Sequence, residues 1–78
     1  MNKELNNRIV MNPAVMAGKP VIRGTRIPVD LIVRLVAQGI SVKEILEDYP
    51  QLKKEDIKAA LEYVADLVRG EDVYPVKE

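Results

Sequence analysis

Apolar residues crowd the segment "PVDLIVRLVAQG" so densely that only Asp30, Arg34 and Gln38 interrupt them, once every four positions. That spacing predicts a helix over residues 28–38 with one narrow polar stripe. Pro28 suits its first turn and Gly39 the position just past its end. Asp30 and Arg34 are ordered correctly for an i,i+4 pair. The remaining positions give more apolar surface than one small core needs, so one flank is expected to face a second subunit. A second helix is predicted over 42–49, where Ser41 and Glu44 form a capping box, Ile40 and Ile45 flank it as a hydrophobic staple, and Pro50 stops the chain. A third is predicted over 53–69. Ile57, Leu61, Val64 and Val68, with Ala60 and Leu67, define its expected buried face, and Gly70 its end.

Upstream the period changes. "RIVMNP" and "PVIRG" are short and β-prone, and each is closed by a turn signal, so residues 8–24 are predicted to form a small ribbon. Such a ribbon is weak alone and is expected to pack on helices or on a second subunit. The N-terminal "MNKELNN" is polar and expected to fray. The tail at 71–78 has no period; its Val73, Tyr74 and Val76 either dock on a neighbour or stay loose. The expected fold is therefore mainly α: one domain over 1–78, a short N-terminal β-ribbon followed by a three-helix, helix-turn-helix-like (homeodomain-like) bundle.

Composition narrows the chemistry. In 78 residues there is no cysteine and no histidine, which argues against disulfides, a zinc site or a histidine relay. A core this small needs outside support, and association is the remaining route. With only three aromatic residues, all tyrosine, a base-stacking single-strand binder is disfavoured. No apolar run approaches a membrane span or signal core, so the chain is expected to be cytosolic, with no membrane partner. Net charge is zero, yet residues 1–40 carry six cations against two acids and residues 41–78 six against ten. Two contact surfaces, or head-to-tail attraction between copies, would follow from that split; the alternative is ordinary solvated charge.

Three candidate chemistries arise. "AGKPVIRGTRIPV" superficially suggests a phosphate-binding loop, but the position five before Gly18 is Pro13 and Lys19 is followed by Pro20, so the required spacing fails. The carboxylates Glu44, Glu47, Asp48, Glu62 and Asp66 alternate with lysines, and pairs such as Glu55–Lys58, Lys58–Glu62 and Asp66–Arg69 account for them as a solvated face. No catalytic residue, cofactor or metal is therefore expected, and the chain is not expected to be an enzyme. DNA is the third candidate. Lys53, Lys54 and Lys58 stand where a recognition helix presents its side chains, although Glu55 and Asp56 among them would repel phosphate. Arg23 and Arg26 either add a grip on the backbone of double-stranded DNA or anchor their own turn through backbone carbonyls.

The blocks "GKPVIRGTRIPV", "YPQL" and "EDIKAALEY" resemble the domain-of-unknown-function family 433, which includes VapB-type antitoxin-like proteins. The resemblance covers roughly residues 8–69 and rests on Gly18, Lys19, Pro20, Ile22, Arg23, Gly24, Thr25, Arg26, Pro28 and Val29. It implies a small helix-turn-helix-like protein encoded beside a PIN-like nuclease toxin, which it would neutralise while repressing its own operon. No catalytic residue carries over. Similar proteins tend to have Thr or Ser where this chain has Lys53, whose side chain cannot cap the third helix. The expectation is a homodimeric antitoxin-like protein that binds the toxin and its operator; the alternative is a homo-oligomeric interaction module that binds no nucleic acid.

Overall fold

The computed structural model describes residues 7–14, 16–70 and 76–77. Strand β1 (Ile9–Met11) pairs antiparallel with β2 (Val21–Ile22), Ile9 opposite Ile22 and Val10 opposite Val21. Three helices follow: α1 (Val29–Ala37), α2 (Val42–Asp48) and α3 (Lys54–Val68). A five-residue turn joins α2 to α3, the link of a helix-turn-helix. The predicted ribbon and three helices are all present, α1 and α3 one residue shorter at each end than the sequence pattern suggests and α2 one residue shorter at its C-terminal end.

The local signals act as their chemistry requires. The Ser41 hydroxyl accepts from the Glu44 N–H at 3.2 Å, and the Glu44 carboxylate accepts from the Ser41 N–H at 3.2 Å. Ile45 and both members of the next staple, Leu52 and Ile57, are buried. Helix α1 ends in a Schellman motif: Gly39, at φ 85°, donates to Val36 at 2.9 Å and Ile40 donates to Leu35 at 3.1 Å. Pro28 lies one position outside the helix, as its extended N-cap. Its neighbours close the outer edge of β2, because Ile22 N–H donates to the Ile27 carbonyl at 3.0 Å and Val29 N–H to Pro20 at 2.9 Å. Asp30 and Arg34 pair at 3.3 Å, with Lys19 at 4.0 Å.

Two features depart from the expectations. Val76–Lys77 adds a strand, β3, parallel to β1, so the order is β2-β1-β3 and the ribbon is a three-stranded sheet. Two residues are too few to leave an alternating pattern, and the pairing joins positions 66 apart. Val73, Tyr74 and the N-terminal "MNKELN" lie outside the described residues. The second departure is the buried face of α3, which consists of Asp56, Ile57, Ala59, Ala60 and Tyr63. Val64 is half-buried, while Leu61, Leu67 and Val68 are exposed, at 36%, 46% and 81%. The core is centred on Ile9, Ile22, Ile32, Ile45 and Ile57; its buried residues in α3 end at Tyr63, with half-buried Val64 packed against them.

In α1, Val29 and Ile32 are fully buried, and Leu31, Val33, Leu35 and Val36 pack on the same core while half-covered. The helix is thus central to the fold.

Candidate nucleic-acid interface

The turn between β2 and α1 is built to hold one shape. Gly24 sits at φ 79°, a region costly for any residue with a Cβ. Thr25 N–H donates to the Ile22 carbonyl at 3.0 Å and its hydroxyl donates to the same oxygen at 2.8 Å. That hydroxyl in turn accepts from Ile27 N–H at 2.9 Å. The hairpin tip, Arg23–Arg26, is therefore held from within by backbone and threonine bonds. Arg23 Nε donates to the Asn7 carbonyl at 2.9 Å, so this side chain is a turn anchor in at least one of its bonds. Arg26 is exposed and has no hydrogen-bond or ionic partner among the described residues.

At the start of α3, Lys53 is the N-cap and its side chain makes no cap bond, as expected of a group without an acceptor. The box is closed from one side only. Asp56, three residues on, accepts from Lys53 N–H through Oδ2 at 2.8 Å. Its Oδ1 accepts from Arg8 Nη1, also at 2.8 Å. Asp56 is 5% exposed. The acid expected to repel phosphate is thus turned inward, neutralised by Arg8 and spent on the helix cap. Glu55 remains exposed beside Lys54. Lys58 is exposed and, among the described residues, pairs with neither Glu55 nor Glu62.

The Arg8–Asp56 bond spans 48 residues and ties β1 to the N-terminus of α3. In consequence the hairpin tip lies against the α2–α3 turn. Two open depressions flank Gly24 and Thr25, and Gln51 borders both. One, of about 430 Å³, is lined by Asn7, Arg8, Arg23, Gln51, Lys53 and Asp56 as well as the tip. The other, of about 490 Å³, is lined by Val10, Asn12, Val21, Arg26 and Gln51. The structure so brings Arg23 and Lys53 to one depression and Arg26 to its neighbour. Lys54 and Lys58 continue from Lys53 along the outer surface of α3 and border neither depression. The surface carries cations and amide donors suited to an anionic backbone.

Arg8, Gln51 and Asp56 were not singled out from the sequence as site residues. The acid at the third position after Lys53 is half of a capping-box pattern and could have marked Asp56. Nothing local marks Arg8, whose partner is remote. Among the described residues no cluster of three or more metal-ligating side chains occurs. Among the described residues no helix is long and apolar enough to cross a membrane. Tyr63 is buried in the core, and burial raises its pKa above the ordinary 10.0 by disfavouring the phenolate.

A small three-stranded sheet fastened to the start of the third helix of a helix-turn-helix-like bundle defines the class of domain. The chain belongs to the family of proteins of unknown function DUF433, whose model matches residues 9–64. It is 41% identical over 63 residues to the uncharacterized protein y4eO of Sinorhizobium fredii, covering 80% of this chain but 28% of that protein. An uncharacterized protein of Archaeoglobus fulgidus is 64% identical over 28 residues, 36% of this chain and 78% of that one. The crystal structure of a DUF433 member from Anabaena variabilis superposes with a TM-score of 0.75 at 41% identity, over 85% of this chain and 65% of that one. The chain thus spans under a third of y4eO and just under two thirds of the crystallised relative.

Proposed function

We propose that the protein is an antitoxin-like, DNA-contacting regulator of a toxin–antitoxin pair, acting in the cytoplasm as a homodimer. Its partners would be double-stranded operator DNA and a PIN-like nuclease toxin. One observation carries the nucleic-acid part: the Arg8–Asp56 pair brings the hairpin tip beside the first turn of α3, so that Arg23, Arg26, Lys53, Lys54 and Lys58 sit on adjoining surfaces. In this reading Lys54 and Lys58 enter the major groove, while Lys53, Arg26 and the guanidinium of Arg23 meet the phosphate backbone. The toxin part rests on the sequence resemblance and on the acidic C-terminal half, which offers a surface to a basic partner.

The test joins copurification with the product of the adjacent gene to a gel shift on the chain's own upstream DNA. Capture of that product and a salt-sensitive shift are expected. Absence of both at low salt refutes the proposal. The exposed Leu61 and Val68 favour a second reading, an interaction module that binds no nucleic acid. Replacing Lys53, Lys54 and Lys58 with Ala separates the two: a DNA reader loses affinity, whereas the module keeps its partner.

A further inference from the structure

Of the two depressions beside the hairpin tip, the one that holds Arg26 offers hydrogen-bond donors and no acid. Val10 and Val21 line it from the sheet, where they pair with each other on the face opposite Ile9 and Ile22, and both are buried. Its other lining residues are Asn12, Gly24, Thr25, Arg26 and Gln51, so none of the described residues around it is a carboxylate.

Each polar group on that rim has a definite state. Asn12 Oδ1 accepts from Ala14 N–H at 2.9 Å, which fixes the sense of the amide and leaves its NH2 group to donate. Thr25 has no donor to spare, because its hydroxyl proton goes to the Ile22 carbonyl at 2.8 Å. Arg26 is exposed, and its guanidinium has no partner among the described residues. Gln51 is exposed as well, with a side-chain amide that makes no bond among the described residues and is free to turn. Spare donors, one of them cationic, over an apolar floor select a ligand that accepts hydrogen bonds and carries negative charge.

We infer that this depression is an oxyanion site that seats one phosphate group of a polyanion. The Arg26 guanidinium and the Asn12 amide are its donors, and Gln51 closes it from the α2–α3 turn. In the nucleic-acid reading above, on which the source of the phosphate rests, that group belongs to the duplex backbone. The charge beyond the tip decides for a polyanion over an isolated carboxylate. In the adjoining depression Asp56 is neutralised by Arg8, while Arg23 and Lys53 add positive potential, so the field continues from one depression to the next. Gly24 borders both, and the open space where its Cβ would stand keeps the ridge between them low.

The probe is inorganic phosphate, titrated across the millimolar range into the isotope-labelled full chain at constant ionic strength and followed by NMR. Saturable shifts are expected at the Asn12 side-chain amide and at the backbone N–H groups of Gly24 and Thr25. Asn12→Asp keeps the oxygen that accepts Ala14 N–H but replaces the donor with a negative oxygen. Arg26→Ala removes the cation at an exposed position, where folding is not at stake. Each should weaken phosphate binding about tenfold or more, the loss of one charge-assisted hydrogen bond. Lys43→Ala, exposed on α2, lowers the net charge equally and should change the affinity less than about twofold, because distant surface charge is screened. Absence of saturable shifts at these groups, shifts that persist in Arg26→Ala, or an equal loss in Lys43→Ala would overturn the inference. Phosphate bound as described by a chain that binds no duplex leaves the oxyanion site standing and removes the DNA reading. A duplex bound equally by the parent and Asn12→Asp removes the site and leaves the DNA reading.

Discussion

Replacing Asp56 with Ala removes three contributions at one point. The carboxylate accepts the N-cap N–H of Lys53, and such a bond is worth about 1 kcal/mol net. It pairs with Arg8, but that side chain is 40% exposed, so solvent screening holds this term to about 0.5 kcal/mol. A negative charge in the first turn of α3 adds about 0.5 kcal/mol through the helix dipole. The total is about 2 kcal/mol, against a stability of about 4–12 kcal/mol for a domain of this size. Urea denaturation should show that loss, and thermal melting should fall by about 8–16 °C. Asp56→Asn, which keeps an acceptor but no charge, should lose about half as much. If Asp56→Ala melted within about 2 °C of the parent, a loss under about 0.5 kcal/mol, the bond from β1 to α3 would not be holding the hairpin tip in place, and the geometry of the proposed interface would lose its basis.

Other outcomes follow from the same structure. Ile32→Ala, at a position with no exposed surface, should cost about 2–5 kcal/mol and leave much of the chain unfolded at 37 °C, as circular dichroism would report. Gly24→Ala should cost about 1 kcal/mol in a melt although its Cβ would meet open space, because the cost is the positive φ alone. Tyr63→Phe should be near-neutral below pH 9, within about 0.5 kcal/mol, because no protein partner to the hydroxyl is found among the described residues. Since the folded pKa of Tyr63 is raised above 10.0, this tyrosine ionises first in the unfolded chain, so its contribution to stability should be constant below that pH and fall as pH rises through it. The Phe variant should lack that tyrosine's share of the decline.

Sequence reached the helices more fully than the site, for identifiable reasons. Capping and termination are local chemistry: Ser41 with Glu44, the staples at Ile45 and Ile57, and Gly39 with its left-handed backbone are all legible within five residues. The hairpin tip is legible too, because Gly24 and Thr25 have the conformational and bonding properties that the turn uses. What escaped notice depends on remote pairing. Arg8 finds Asp56 across 48 residues and converts a supposed repulsive charge into a fastening. Likewise β3 joins β1 with two residues, too short a run to carry a period. The face of α3 is a different case. Its apolar period marks Ile57, Leu61, Val64 and Val68, with Ala60 and Leu67, as one buried face, yet only Ile57 and Ala60 of these are buried, because the core runs out and the last two turns keep the pattern without the burial.

The most direct test of the central claim is the salt dependence of binding to duplex DNA from the chain's own upstream region, followed by fluorescence anisotropy. The account predicts measurable affinity at low salt, a linear fall of log K with log salt, and a slope reduced in magnitude by about 1 when Arg26 is replaced with Ala. No binding at low salt, or an affinity and slope that Arg26→Ala leaves unchanged, would contradict it.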